Sequence, residues 1–288
     1  MFRATGPQRW GLLAAVAAFL LLYANVLVSL ARDWASDDNY SHGFLIIPIA
    51  GYLIWERRHA LASSPAKGSS FGLVVVLGSL AMLVAGVLGA ERFLTRVSML
   101  GVMAGGVVFV AGWRHLQLAR FPLLFLLLMI PVPALLFNQI AFPLQLIASQ
   151  FGAKVLALAS VPVFREGNVI VLASTSLEVA EACSGIRSLI SLLTLAIVLG
   201  YFTDSRSWVR TVLACSTVPI AIVANGLRVA GTGIAAHYYG PSVAHGFFHS
   251  FSGWLVFGFA FGLLLILHRV IALVAAPAQA AEVSAAAA

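Results

Sequence analysis

Three short stretches carry residue types able to do covalent chemistry. In Glu181-Ala-Cys183-Ser-Gly-Ile-Arg187 a cysteine stands just before an apolar run that opens a helix. The amides and dipole at a helix start favour a thiolate, and Arg187, one turn along, adds positive charge, while Glu181 opposes both. The plainer reading of Cys183 is a small buried apolar residue. In Asn225-Gly-Leu-Arg228 an arginine sits on an apolar helix, at a cost of about 2.5–3.5 kcal/mol on insertion scales. It either snorkels to headgroups or serves a buried polar site with Asn225, three residues earlier on the same face. In His245-Gly-Phe-Phe-His249-Ser-Phe-Ser-Gly253-Trp254 the two histidines are four apart and share a face on a continuous helix. No His-Glu-x-x-His motif or third ligand accompanies them, so no metal is expected. Either histidine caps the helix, sits in the aromatic belt or carries protons, and His249, nearer the membrane, is the better base.

The elements that must position these groups follow from composition. Of 288 residues 61% are hydrophobic and 9% charged, with a mean hydropathy of +1.00. A soluble domain cannot cover so much apolar surface, so the chain reads as an all-α polytopic membrane protein. Soluble enzymes, disordered chains and disulfide scaffolds are excluded. Seventeen Lys plus Arg against ten acids give a net charge of +7 without a basic tract, so no nucleic-acid partner is expected and the lipid bilayer is the surrounding medium.

About eight crossings are expected, at 11–31, 43–55, 71–90, 97–113, 121–138, 186–203, 210–232 and 250–274. Segment 139–160, with Gln145, Ser149, Gln150 and Lys154 among apolar residues, reads as one interfacial helix. Under that count, with both termini cytoplasmic, ten Lys or Arg fall inside and seven outside, and seven of the ten acids fall outside. Nine crossings would move Arg206 and Arg210 outside and erase the bias. Residues 161–182, with β-branched runs and an Arg165-Glu-Gly-Asn168 turn, predict a small β-hairpin on the outer side. Residues 1–275 are taken as a single membrane domain and 276–288 as a disordered Ala-rich tail.

With this topology Cys183, Arg228 and His249 come to the outer ends of three consecutive spans. Together they would supply a nucleophile, an oxyanion donor and a proton carrier for acyl transfer. Cys215 lies 13 residues before Arg228, about 20 Å deeper, and reads as packing. The first outer loop, Trp34 to Phe44, adds Tyr40 and His42 at the same level, either as a solvated turn or as a lip touching substrate.

These stretches resemble an exosortase, a member of the exosortase/archaeosortase group of multi-pass sorting enzymes. The likeness is carried by Glu181-Ala-Cys-Ser-Gly-Ile-Arg187, Asn225-Gly-Leu-Arg228, His249-Ser-Phe-Ser-Gly253, and the Asn39-Tyr-Ser-His-Gly-Phe44 loop with Pro48. The resemblance implies a cysteine transpeptidase of the inner membrane whose site faces the periplasm. It implies a partner with a C-terminal sorting signal of the PEP-CTERM type, which comprises a Pro-Glu-Pro motif, a transmembrane helix and a basic tail. It also implies Cys183 as nucleophile with Arg228 and His249 essential, and a link to exopolysaccharide secretion. Asn225, Arg187, His245, Tyr40 and His42 are the candidate substrate contacts. No cofactor is required, and the acceptor of the acyl group is left open. The rivals are a non-catalytic carrier or scaffold of exopolysaccharide secretion and a plain intramembrane cysteine protease.

Overall fold

The computed structural model describes residues 6–173, 175–178, 186–240 and 247–274. The chain divides into two compact units, Met1–Ala134 and Leu135–Ala288.

In the first unit α1 (Gly6–Leu22) and α2 (Ala24–Ser36) meet at Tyr23 with a 57° bend. Tyr23 is fully buried, and its hydroxyl lies 3.1 Å from Ser98 Oγ. The loop after α2 leads into α3 (Gly43–Glu56), which contains Pro48, and then the short α4 (Arg58–Ser63). Next, α5 (Phe71–Leu88) and α6 (Arg92–Val110) form a tightly packed helical hairpin. Then α7 (Trp113–Phe125) runs into a 3₁₀ turn, Leu126–Met129.

The expected crossing at 121–138 is not one helix. Regular α-helix stops at Phe125, and residues 130–133 are irregular. Pro131 and Pro133 are the reason. Each lacks an N–H, and each drives the preceding residue out of the α region.

The second unit begins with α8 (Ala134–Leu158), whose 25 residues are long and apolar enough to cross a membrane. This helix takes in most of the segment expected to lie in the interface. Gln145 and Ser149, which suggested headgroup contact, are instead buried. The Ser149 hydroxyl donates to the Leu146 carbonyl at 2.9 Å and to Gly167 at 3.0 Å. Polar side chains satisfied inside the protein do not need headgroups.

The expected hairpin is present but extended to a three-stranded antiparallel sheet of β1 (Val163–Glu166), β2 (Val169–Leu172) and β3 (Ser176–Glu178), in the order β1-β2-β3. Its register pairs Arg165 with Ile170 and Ile170 with Leu177. Gly167, at φ +63°, turns β1 into β2 in a conformation glycine adopts without strain. One sheet face, including Ile170 and Leu172, buries itself with Ala148 and Leu156 of α8 and with Val229, Ala230 and Ala236 of the helix described next.

Three helices complete the unit: α9 (Ile186–Thr203), α10 (Ser207–Tyr239) and α11 (Phe247–Val274). Leu192, Ala196, Val209, Leu213, Ala224, Ala260 and Leu264 form their shared core. Arg210 fixes the turn from α9 to α10. Its Nε donates to the carbonyls of Gly200 (3.1 Å) and Asp204 (2.7 Å), and Nη2 donates to Tyr201 (3.1 Å). These are carbonyls that a helix C-terminus otherwise leaves to water. In the same turn the Arg206 guanidinium, by hydrogen bonding Asp204, holds that carboxyl down at about 2.

Among the described residues five helices are long and apolar enough to cross a membrane, and the bent α1–α2 pair makes a sixth when taken as one span. Helices α3 and α9 are shorter apolar helices. The chain is thus a mostly helical, multi-pass membrane protein with a small sheet.

Candidate active site

The site is built on the ends of α9, α10 and α11. Because Arg210 ties the C-terminus of α9 to the N-terminus of α10, the start of α9 lies toward the other end of this bundle. Arg228 stands 21 residues beyond Ser207. That is about 32 Å along α10, close to the roughly 30 Å of a hydrocarbon core. The remaining residues to Tyr239 continue about 16 Å further, and the sheet packs against them through Val229, Ala230 and Ala236. Both described ends of the chain around Cys183, Glu178 of β3 and Ile186 of α9, therefore belong to the Arg228 end of the unit.

Arg228 is half-buried and points across to α11, where its Nε donates to Ser252 Oγ at 3.3 Å. Gly253 leaves room beside it. A Cβ built there would stand 3.5 Å from Arg228 Nη2 and 3.7 Å from Cζ. One turn earlier on α10, Asn225 is 3% exposed. Between them, Gly226 lies so close to the Phe151 ring of α8 that any side chain would overlap it. These contacts give Arg228 a defined setting against α11, which a residue reaching for headgroups does not require.

Position 249 lies on α11, three and four residues before Ser252 and Gly253. It is thus one helical turn from the Arg228 contact and on the same helical stripe. Arg187 is the second residue of α9. Cys183 and His245 lie outside the described residues. Cys215 is on α10 with its thiol free and exposed. At 13 residues from Arg228 it is about 20 Å removed along the helix. Ser252 is the residue that sequence reasoning passed over. Its signal was its place inside the His249-to-Gly253 motif, but its partner depends on the register between α10 and α11.

Tyr40 and His42 belong to the first unit, where both are engaged with main chain. The Val132 amide donates to Tyr40 Oη at 3.2 Å, and His42 Nε2 is 3.1 Å from the Leu128 carbonyl. Trp34 Nε1 donates to Met129 O at 2.8 Å. Three side chains, Trp34 of α2 and Tyr40 and His42 of the loop after it, thus satisfy backbone groups that the proline-broken segment 128–132 cannot pair within a helix. Burial is the main influence on both titratable members. It raises the Tyr40 phenol and lowers the His42 imidazole from their ordinary values.

A protein-family model described as transmembrane exosortase (Exosortase_EpsH) matches residues 34–266, which is most of the chain. The match takes in the Trp34–His42 loop, the Cys183 segment, Arg228 and the 245–253 stretch. Comparison with curated proteins and with solved structures gives no match. The family supports a membrane transpeptidase in general terms, with a protein substrate. On this match, the chain belongs to the transmembrane exosortase family.

Proposed function

We propose that this chain is a cysteine transpeptidase of the inner membrane. It cleaves PEP-CTERM-type C-terminal sorting signals on the periplasmic side and passes the acyl group to an acceptor. The observation that carries the reading is the seating of Arg228 against Ser252 and Gly253, at the end of the bundle where α9 begins. A sorting signal presents its scissile peptide just outside a membrane helix. Arg228, about one hydrocarbon thickness along α10, matches that depth.

Cys183, three residues before α9, acts as a thiolate on the peptide carbonyl, forming a carbon–sulfur bond and an oxyanion that Arg228 stabilises. His249 gives a proton to the leaving amine as the carbon–nitrogen bond breaks, freeing the signal helix. An acceptor amine, or water, then attacks the thioester and releases the Cys183 thiol. Arg187, Asn225 and His245 are proposed as substrate contacts. Tyr40 and His42, in the first-unit loop that braces segment 128–132, are proposed as further substrate contacts.

Eight crossings fit this reading. They are the bent α1–α2 pair, α3, α5, α6, α7 with its 3₁₀ turn, α9, α10 and α11, with both termini in the cytoplasm; α7 starts beside Arg57 and its 3₁₀ turn ends beside the outer loop of Tyr40 and His42, so α8 begins and ends on the outer side. Orientation follows the charge distribution, ten basic residues inside against seven outside.

The test is co-expression with a secreted protein ending in Pro-Glu-Pro, an apolar helix and arginines. The expected result is loss of the signal helix and a product heavier than the cleaved fragment, abolished by Cys183→Ala. A product with the mass of the fragment alone marks a hydrolase. Processing or polysaccharide export unaffected by Cys183→Ala marks a scaffold.

A further inference from the structure

We propose that Ser252 and Gly253 are positioning residues that aim the Arg228 guanidinium, so that the register of α11 on α10 sets the activity of the site. The proposal rests on Arg228 acting at the reacting carbonyl. It concerns what holds that arginine in place.

The geometry has two parts. Ser252 Oγ accepts from Arg228 Nε at 3.3 Å. Position 253 bears on the guanidinium itself. A Cβ built on Gly253 would stand 3.5 Å from Nη2, 3.7 Å from Cζ and 3.9 Å from Nη1. If the fork met position 253 end-on, Cζ would be well behind both nitrogens. Its distance falls between theirs instead, so the guanidinium lies broadside on the helix. An acceptor at 252 and a surface without a side chain at 253 both bear on the plane of the fork.

Plane matters for this side chain. The guanidinium donates in a rigid, flat fork, so tilting it redirects every donor together. Glycine is unfavourable within a helix relative to alanine, and its place at 253, seven residues into α11, suits a need for room. Alanine there would make ordinary contact, whereas a branched side chain would drive the guanidinium off the helix. Position 249 lies one turn away on the same helix. One element thus carries both the candidate proton donor and the residues that aim the candidate oxyanion donor, and a shift of α11 moves both.

The experiment compares Ser252→Ala, Ser252→Thr, Gly253→Val and Arg228→Ala in the full-length protein in nanodiscs. The substrate is a protein ending in the Pro-Glu-Pro, helix and arginine signal. Ser252→Ala is expected to slow processing about tenfold and Gly253→Val about a hundredfold, in line with the cost of ångström-scale misplacement. Ser252→Thr, which keeps the hydroxyl, recovers most of the rate. Melting temperature, Cys183 alkylation rate and co-purification of uncleaved substrate with a Cys183→Ala trap stay at the parent level. Parent-level processing by Ser252→Ala and Gly253→Val, with Arg228→Ala inactive, would overturn the positioning role alone. Processing by Arg228→Ala would overturn its premise. Parallel loss of rate, stability and trap binding would make both residues structural and also overturn the proposal.

Discussion

Arg96 of α6 meets Asp33 near the end of α2. Its Nη2 lies 2.5 Å from Asp33 Oδ2 and 3.1 Å from Ser29 Oγ, and the arginine is 2% exposed. Arg92 approaches the other carboxylate oxygen at 3.9 Å. This pair ties the bent α1–α2 segment to the first turns of α6. Removing one partner strands a buried charge, which costs more than removing both. Asp33→Ala is expected to destabilise the protein by about 2–3 kcal/mol, and Asp33→Ala with Arg96→Met by clearly less. Thermal melts monitored by size exclusion check this. A double variant less stable than the single one would contradict it.

His42 gives the first unit a pH dependence. Burial holds the imidazole below its ordinary 6.5, with the Leu128 carbonyl opposing the shift. Between the folded value and 6.5 the unfolded chain binds a proton that the folded chain does not. The stability from neutral His42 is therefore complete above 6.5 and declines as pH falls through the folded value. Melting temperatures between pH 7.5 and 5 should fall less steeply for His42→Gln than for the parent protein. Parallel slopes would exclude this role.

Much of the helical plan is legible from hydropathy alone, and the sheet announces itself through β-branched residues and the Arg165-Glu-Gly-Asn168 turn. The stretch from 121 to 160 is not legible in the same way. A count of apolar residues runs through Pro131 and Pro133, where the backbone cannot continue as a helix. The same count reads Gln145 and Ser149 as headgroup-facing, although Ser149 is bonded to the Gly167 turn of the sheet. Arg228 stands out because a charge on an apolar helix is costly. Its partner Ser252 does not, because serine is common and the contact depends on how two helices mesh.

The eight-crossing arrangement predicts opposite exposure for two engineered cysteines. In a Cys183→Ala, Cys215→Ala background, Glu166→Cys in the sheet should react with an impermeant thiol reagent in spheroplasts. Arg206→Cys, between α9 and α10, should react after lysis. Labelling of position 206 in intact spheroplasts would overturn the orientation.

Arg228 separates charge from shape. If it snorkels to headgroups, a lysine ammonium serves as well. If it holds an oxyanion or a substrate carboxylate, the planar fork is needed. Arg228→Lys is expected to be inactive, losing about a hundredfold or more in rate. In the Cys183→Ala trap, Arg228→Lys should retain uncleaved substrate, because an oxyanion donor acts after binding. Loss of that retention would assign Arg228 to a substrate carboxylate, and near-normal processing would assign it to the headgroups.

The central claim, that Cys183 carries the acyl group, is tested most directly by capturing the intermediate. The Cys215→Ala variant, with Cys183 as its single thiol, is mixed with signal-bearing substrate, quenched in acid and analysed by intact and peptide mass spectrometry. The account predicts a hydroxylamine-sensitive adduct on Cys183, with the mass of the substrate lacking its signal helix and absent from Cys183→Ser. Turnover at the parent rate by Cys183→Ser, or an adduct on another residue, would contradict it.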